Sequence, residues 1–558
     1  MKADLKTRHG GRILADALVG HGARLAFGVP GESFLPVLDG LHDLKEKLKF
    51  VVCRQEGGAA YMAEASAKLS GQPGLLFVTR GPGATNGSVG VHTAFQDSTP
   101  MIVFVGQVGS DFVEREAFQE VDYRRMYGPL TKWVAQIDRA ERIPEYVSHA
   151  FHVATSGRPG PVLLALPEDM LFSEAAVADA PHFRTPRAAP SPADMKELER
   201  LLAGAKRPFM LLGGGGWTRQ ASDGLRTWAE AAGIPVGCGF RCQDYFDNRH
   251  PNYAGDVGIG INPKLAQHVK EADLLLAIGE RLGEMTTSAY TLIDSPVPRQ
   301  KLVHVQSGAE ELGRVYQAAL PINSNYEEFV FALSTIKTPS WKEQAQSAHA
   351  DYLAWNKTIP MPGALHYGEV IAWLSQQLPE DAIVTNGAGN FASWLHRHFQ
   401  YKRWRTQLAP TSGSMGYSVP AAVAAKISEP SRTVVALAGD GEFLMNGQEF
   451  STAVQYGAAI VVLVVNNGMY GTIRMHQERE FPGRVSGTEL ANPDFAAYAR
   501  AFGGHGETVA RTADFAPAFR RALGSGKPAI VELKIDPEAI TPSATLSGLR
   551  AAALAGKK

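Results

Sequence analysis

The segment GDGEFLMNGQEFSTAVQYGAAIVVLVVNN, Gly439 to Asn467, carries one carboxylate between two glycines at its start and two asparagines at its end. Asp440 and Asn467 are 27 residues apart, and 24 residues separate the GDG triplet from the NN pair. Each end follows a short apolar run, TVVALA or AIVVLVV, that reads as a buried strand. In an open parallel sheet, ligands gather at the carboxyl ends of the strands. If these two strands are neighbours, the carboxylate and the amide oxygen converge despite the gap between them. Such a sparse set of hard oxygens suits Mg²⁺, which keeps further oxygens from water and from a phosphate ligand. Gly439 and Gly441 let the backbone approach that ligand closely, and a helix starting at about Phe443 points its N-terminus at an anion. The residues imply a Mg²⁺-bridged diphosphate. A lone GDG would fit an ordinary β-turn; GDG, a continuous apolar strand and then NN fits one badly.

The elements that must hold these groups follow from the rest of the chain. At 558 residues it is too long for one core, and three or so domains are expected. Hydrophobic residues make up 45% and charged residues 20%, as in ordinary globular proteins. A formal net charge of −1 argues against bulk electrostatic binding of nucleic acid or of an anionic membrane. Cys53, Cys238 and Cys242 are too few and too odd in number for a disulfide framework, so a structural role is expected. No apolar stretch is long enough to span a bilayer, and the N-terminus lacks the pattern of a secretory signal. A cytoplasmic location is the default expectation.

Two stretches read as linkers, Ala180 to Asp194 and Thr338 to Gly363. They divide the chain into expected domains at 1–185, 190–337 and 360–558, each of ordinary size. Within each, runs such as GLLFVT, PMIVFVGQ, FMLLGGGG and DLLLAIG alternate with amphipathic stretches. One of these, Ala193 to Ala203, follows Ser191-Pro192 as a capped helix. Such alternation predicts an α/β protein of three doubly wound domains with mainly parallel sheets. The first and last blocks share a design, a strand running into a glycine turn and then a helix, which is a repeat of architecture and not of sequence.

The GDG-to-NN segment resembles the cofactor motif of thiamine-diphosphate-dependent enzymes. Six further stretches resemble the acetolactate synthase branch in order and spacing: FGVPGESFLPVLDGL, RQEGGAAYMAEASAKLSGQPG, TRGPGATNG, AFQEVD, SGRPGPVLLALPEDM and GSMGYSVPAA. The resemblance implies a pyrimidine-binding, a central and a diphosphate-binding domain. It implies decarboxylation and carboligation of small 2-keto acids, with thiamine diphosphate and Mg²⁺ as cofactors. The metal ligands would be Asp440, Asn467 and the Met469 carbonyl. Glu56, in CRQEGGAA, takes the position of the carboxylate that hydrogen-bonds the cofactor's pyrimidine and makes it act as a base. Read from the residues alone, a helix-start glutamate favoured by the macrodipole is the commoner case.

Other positions carry over in the same way. Pro30, Gly31, Gly83 and Asn86 fall in the pyrimidine-side motifs. Gly387, Ala388, Gly389 and Asn390 match the second diphosphate loop. Gly413 matches the carbonyl that receives the cofactor's amino group, and Met415 the bulky residue beneath the bent cofactor. Gly439, Gly441, Glu442 and Tyr470 flank the metal ligands. Gln119 and Lys132 match catalytic positions, and Phe118, Ile473 and His476 substrate-side positions. His476 stands where biosynthetic relatives carry tryptophan, which predicts weak preference for 2-ketobutyrate over pyruvate and tolerance of small aldehydes. Active sites at the subunit interface of a homodimer or homotetramer are implied as well.

The central block departs from flavin-binding relatives. It reads GERLGEMTTSAY where they have an acidic, arginine-bearing loop, and Gln306 and Ser307 replace the acids expected on a ribose, which speaks against FAD. Two alternatives share the scaffold: a lyase of the 2-hydroxyacyl-CoA or oxalyl-CoA decarboxylase type, and a non-catalytic paralogue.

Overall fold

The computed structural model describes residues 5–556. Three six-stranded sheets organise it, and every pairing within them is parallel. The first sheet contains Leu25–Gly28, Lys49–Val52, Gly74–Val78, Met101–Gln107, Trp133–Gln136 and Pro161–Pro167. The third contains Ile383–Asn386, Gln407–Leu408, Val434–Gly439, Val461–Asn466, His505–Val509 and Ala529–Lys534. Numbered along the chain within each sheet, both run 2-1-3-4-6-5. The shared glycine-turn design therefore reflects a shared topology. The central sheet, Pro208–Leu212, Val236–Gly239, Tyr253–Val257, Leu274–Ile278, Lys301–Gln306 and Leu320–Asn323, runs 3-2-1-4-5-6. That is the strand order of dinucleotide-binding sheets.

Strands such as Gly74–Val78, Met101–Gln107 and Pro161–Pro167 are buried along their whole length. This is why they read as continuous apolar runs without alternation. In the first sheet, Leu75, Phe77, Ile102 and Phe104 pack beneath the helices Gly10–Gly20 and Ile143–Thr155 through Ile13, Leu14, Val147 and Phe151. The helix Glu56–Ser70 is built from small residues because the helix Pro82–Asp97 lies hard against it. A Cβ on Gly90 would come within 2.3 Å of the Ala60 Cβ.

The chain divides into two compact units, one ending at Arg187 and one beginning at Ala188 that contains the central and third sheets. Ala180 to Ser191 has no regular structure, and the helix after it runs Pro192–Gly204, with Ser191 Oγ accepting from the Asp194 amide at 3.0 Å. The second expected linker is a correction. Most of it is the helix Lys342–Asn356, which buries Ala345, Ala348 and Tyr352. Tyr352 stands edge-on to Tyr253 of the central sheet at 4.9 Å between ring centres. Three buried positions on a helix of fifteen residues are too few to outweigh its polar composition in the sequence. All three cysteines are buried and none forms a disulfide. Among the described residues no helix is long and apolar enough to cross a membrane.

Candidate active site

The strands ending at Gly439 and Asn466 are hydrogen-bonded neighbours, with Gly439 level with Val465. Asp440 and the asparagine pair therefore share one edge of the third sheet. The helix after the strand begins at Asp440 itself, three residues earlier than expected, so the carboxylate lies in its first turn. Asp440 is 3% exposed. Its Oδ2 accepts from the Gly468 amide at 2.9 Å and from Asn492 Nδ2 at 2.8 Å. Burial pushes its carboxyl above the ordinary range. A carboxylate desolvated in this way gains most from a cation close by.

The two asparagines divide the labour. Asn466 Oδ1 accepts from the same Gly468 and Asn492 donors, at 3.1 and 3.0 Å, and so fixes the loop. Asn467 Oδ1 accepts from the Met469 amide at 3.2 Å, which turns the chain sharply at the proposed ligands. Asn492 is a site residue that sequence reasoning misses. It arrives on a strap that pairs with the loop, where the Tyr470 amide donates to the Thr488 carbonyl and the Leu490 amide to the Gly468 carbonyl, each at 2.9 Å. Only the dipeptide Asn492-Pro493 marks it in the sequence, and that reads simply as a turn.

The other loops of this sheet meet around Glu442. Its buried carboxylate accepts from the Gly416 and Ser418 amides at 3.1 and 3.2 Å, and from Ser418 Oγ at 2.9 Å. Burial pushes its pKa up to about 7. The same carboxylate lies against the bare Cα of Gly387, where a Cβ would come within 2.2 Å. Glu442 thus sits beneath the Gly387 and Gly413 loops and holds them. Gly413 is in the left-handed region at φ 68°, with nothing within 4 Å of where a Cβ would stand. Met415, two residues on, is half-buried. The Tyr470 ring packs on the Cα of Gly441, and the Phe391 ring on those of Gly389 and Gly439. Between Gly389 and Gly387, Ala388 continues the loop that ends at Asn390. Asn390 ties this loop to neighbouring chain: its amide donates to Thr472 Oγ1 and its Nδ2 to the Ile540 carbonyl, both at 3.0 Å.

In the first unit, Pro30 and Gly31 follow the strand Leu25–Gly28, Glu56 begins the helix after Lys49–Val52, and Gly83 and Asn86 lie in the helix after Gly74–Val78. These three strands are adjacent, so all five residues gather at one sheet edge. Glu56 Oε2 accepts from Asn86 Nδ2 at 3.0 Å, and a Cβ on Gly83 would stand 3.3 Å from Glu56 Oε1. Gln119 has a left-handed backbone at φ 67° and packs against Gly81 at the same edge. Phe118 is 73% exposed and borders a cavity of about 340 Å³ with Phe112 and the ion-paired Arg80 and Glu168.

Lys132 is a correction. It immediately precedes the strand Trp133–Gln136, so it lies at the amino edge of the parallel sheet, opposite Glu56. Its Nζ donates to the Val153 and Ser156 carbonyls at 2.5 Å, at the C-terminus of the helix Ile143–Thr155. A cation there neutralises the helix end. This is a structural role, not contact with substrate.

Ile473 and His476 are exposed on one face of the helix Gly471–Glu480, and Arg474, Met475 and Glu478 are buried on the other. The C-terminal helix Leu546–Gly556 packs on this helix, and its Arg550 shares Glu478 with Arg474. Hydrogen bonds from Arg550, from the Gly483 amide and from Arg474 hold the Glu478 pKa down at about 2, against an ordinary 4.5. A depressed carboxyl stabilises the fold above its unfolded pKa, and that stability is lost as pH falls from about 4.5 towards 2. Glu478→Gln is expected to loosen the C-terminal helix already at neutral pH. Hydrogen exchange over residues 546–556 checks this; protection equal to wild type would leave Glu478 with no part in docking the helix.

Known proteins match the sequence over nearly the whole chain. Residues 8–126 match the family described as thiamine pyrophosphate enzyme, N-terminal TPP binding domain; 195–333 match its central domain, and 387–533 its C-terminal TPP binding domain. The chain is similar to the acetolactate synthase large subunit of Corynebacterium glutamicum, 32% identical over 550 residues, covering 95% of this chain and 87% of the relative. It is similar to the acetolactate synthase isozyme 2 large subunit of Escherichia coli, 30% identical over 533 residues, covering 95% and 96%. A probable acetolactate synthase large subunit of Methanocaldococcus jannaschii is 31% identical over 555 residues, covering 96% and 93%.

Proposed function

The chain belongs to the thiamine pyrophosphate enzymes, on the acetolactate synthase-like branch, and from that premise we propose how its own residues serve thiamine-diphosphate-dependent decarboxylation and carboligation of small 2-keto acids. When bound, thiamine diphosphate supplies a carbon nucleophile that adds to a keto acid and holds the electron pair left by loss of CO₂. Glu56 accepts a hydrogen bond from the pyrimidine ring and keeps that ring competent as a base. Asp440, Asn467 Oδ1 and the Met469 carbonyl hold Mg²⁺ against the diphosphate. Among the described residues no three His, Cys, Asp or Glu side chains cluster as a metal site. A site with one carboxylate and two neutral oxygens needs the diphosphate's own oxygens to complete it, and this fits a metal that binds together with its cofactor. The Gly387–Asn390 and Gly413–Met415 loops line the cofactor, Gln119 and Phe118 face the substrate, and Ile473 and His476 set its size. The working division is three domains, 1–185, 190–337 and 360–558, with one sheet in each.

The observation that carries this reading is Glu56, fixed by Asn86 beside the bare Cα of Gly83. A binding module would need no carboxylate there. Incubation with thiamine diphosphate, Mg²⁺ and pyruvate is expected to release CO₂ and form acetolactate. Cofactor binding without turnover of pyruvate, 2-ketobutyrate or glyoxylate would sink the reading. The resemblance implies that the residues at the Glu56 and Asp440 positions meet across a subunit interface, so we expect a homodimer or homotetramer whose subunits complete each other's sites. A fully active monomer in analytical ultracentrifugation would contradict this.

The central sheet is proposed to hold no FAD. Its dinucleotide crevice lies between Pro208–Leu212 and Leu274–Ile278. Glu280 fills it: a Cβ on Gly213 or Gly239 would come within 2.1 or 1.9 Å of Glu280 Oε2. The His304 and Gln306 side chains hold the Glu280 carbonyl at 2.9 and 2.8 Å. Trp217 Nε1 donates to the Gly213 carbonyl at 2.9 Å, and its ring stacks on Tyr326. A pyrophosphate would meet a carboxyl group where it needs donors. The purified protein is expected to show no flavin absorbance and no heat of binding with FAD; co-purification of a flavin would overturn this.

A further inference from the structure

One loop of the central sheet reaches the cofactor side of the third sheet. After the strand Val236–Gly239 the chain reads FRCQDYFDN, and Arg241 in it has a left-handed backbone at φ 63°. L side chains other than those of Asn and Asp rarely adopt this conformation, and where they do the surroundings hold them there for a reason. The reason here is where the guanidinium goes. It is buried, and its Nη2 donates to the Gly387 carbonyl at 2.9 Å while Nη1 donates to the Pro410 carbonyl. Gly387 opens the proposed diphosphate loop. Pro410 begins the turn to Gly413, whose amide donates back to the Pro410 carbonyl at 3.0 Å. One planar cation thus spans the roots of both cofactor loops of the third sheet.

Glu442 holds the same two loops from below. Its carboxylate lies on the Gly387 Cα and binds the Gly416 and Ser418 amides. Arg241 and Glu442 therefore set the gap between the loops, one through carbonyls and one through amides. A lysine could hold two carbonyls only where both lie within reach of its one nitrogen, whereas the guanidinium holds them through two nitrogens in one fixed plane.

We propose that Arg241 is a positioning residue for thiamine diphosphate: from the central sheet, it fixes the spacing of the Gly387 and Gly413 loops before the cofactor arrives. This rests on the reading of those loops as cofactor-binding. It gives the central sheet, whose own crevice Glu280 fills, a part in building the site. Preorganisation of this kind lowers the ordering cost of binding.

The test is titration of thiamine diphosphate at saturating Mg²⁺ into wild type, Arg241→Lys and Arg241→Gln, with kcat at saturating cofactor and melting temperature measured alongside. Loss of one charged hydrogen bond is expected to raise the cofactor Kd by about tenfold or more. The kcat at saturating cofactor is expected to stay within about threefold of wild type, since Arg241 touches no reacting atom. Asp244→Asn is the control. Asp244, in the same loop, accepts from the Thr406 and Gln407 amides at 2.9 and 3.1 Å and so ties the sheets together without touching the Gly387 or Pro410 carbonyl. It is expected to lower the melting temperature and leave the Kd unchanged. Equal Kd values for wild type and folded Arg241 variants would overturn the proposal while leaving the function intact. An equal rise in Asp244→Asn, or failure of both Arg241 variants to fold, would make the contact merely structural and overturn it too. A wild type that binds no cofactor would instead refute the underlying reading.

Discussion

Asp440→Ala is expected to abolish binding of thiamine diphosphate at ordinary Mg²⁺ concentrations. The carboxylate is the only formal negative charge among the three proposed metal ligands, and it is almost wholly buried. Removing one partner of a buried charge pair costs about 3–5 kcal/mol. At roughly 1.4 kcal/mol per decade that is a loss of about two to three and a half orders of magnitude in affinity. The alanine also releases Asn492 and the Gly468 amide, so the loop carrying Asn467 and Met469 loses an anchor. Asp440→Asn separates the two effects. It keeps an oxygen for the Gly468 amide but removes the charge, so its loss measures the metal contribution alone. Calorimetry showing wild-type affinity in both variants would remove Asp440 from the site.

Features that depend on a short stretch of chain are legible in the sequence itself. Buried parallel strands are apolar along their length, so TVVALA, AIVVLVV and GLLFV stand out, and a ligand group just beyond such a run sits at a sheet edge by construction. What stays hidden depends on partners distant in sequence. Lys132 reads as a cation available to a substrate because the strand after it, WVAQ, is too short and mixed to recognise; once that strand forms, the lysine is at the wrong end of the sheet. Asn492 becomes legible only when residues 488–490 pair with the Asn467 loop. Arg241 reads as incidental in CGFRC, since nothing local says that its guanidinium crosses to carbonyls 146 and 169 residues away. Glu442 and Glu280, each lying on bare glycine Cα atoms, show the same limit: the glycines are visible in the sequence, but the side chains that use the space are not.

Glu56→Gln is expected to lower turnover with the fold and cofactor affinity largely intact. The substitution keeps the size and one oxygen of the side chain. That oxygen can still accept from Asn86 Nδ2, and the helix Glu56–Ser70 keeps its cap, because Gln55 supplies it by accepting from the Gly58 amide at 3.0 Å. The change removes the charge that holds a proton on the pyrimidine ring nitrogen. A positioned acid–base group is worth roughly 10²- to 10⁴-fold in rate, and a loss in that range is expected in kcat. Since the interaction belongs to the activated state more than to the bound ground state, kcat and kcat/KM are expected to fall together. The decisive measurement is deuterium exchange at the reactive carbon of bound thiamine diphosphate, which reads proton removal before any substrate is present. Slow exchange in Glu56→Gln with a near-wild-type Kd identifies the carboxylate as the group that makes the pyrimidine a base. Exchange as fast as in wild type would assign that role elsewhere and leave Glu56 as an ordinary helix-start glutamate.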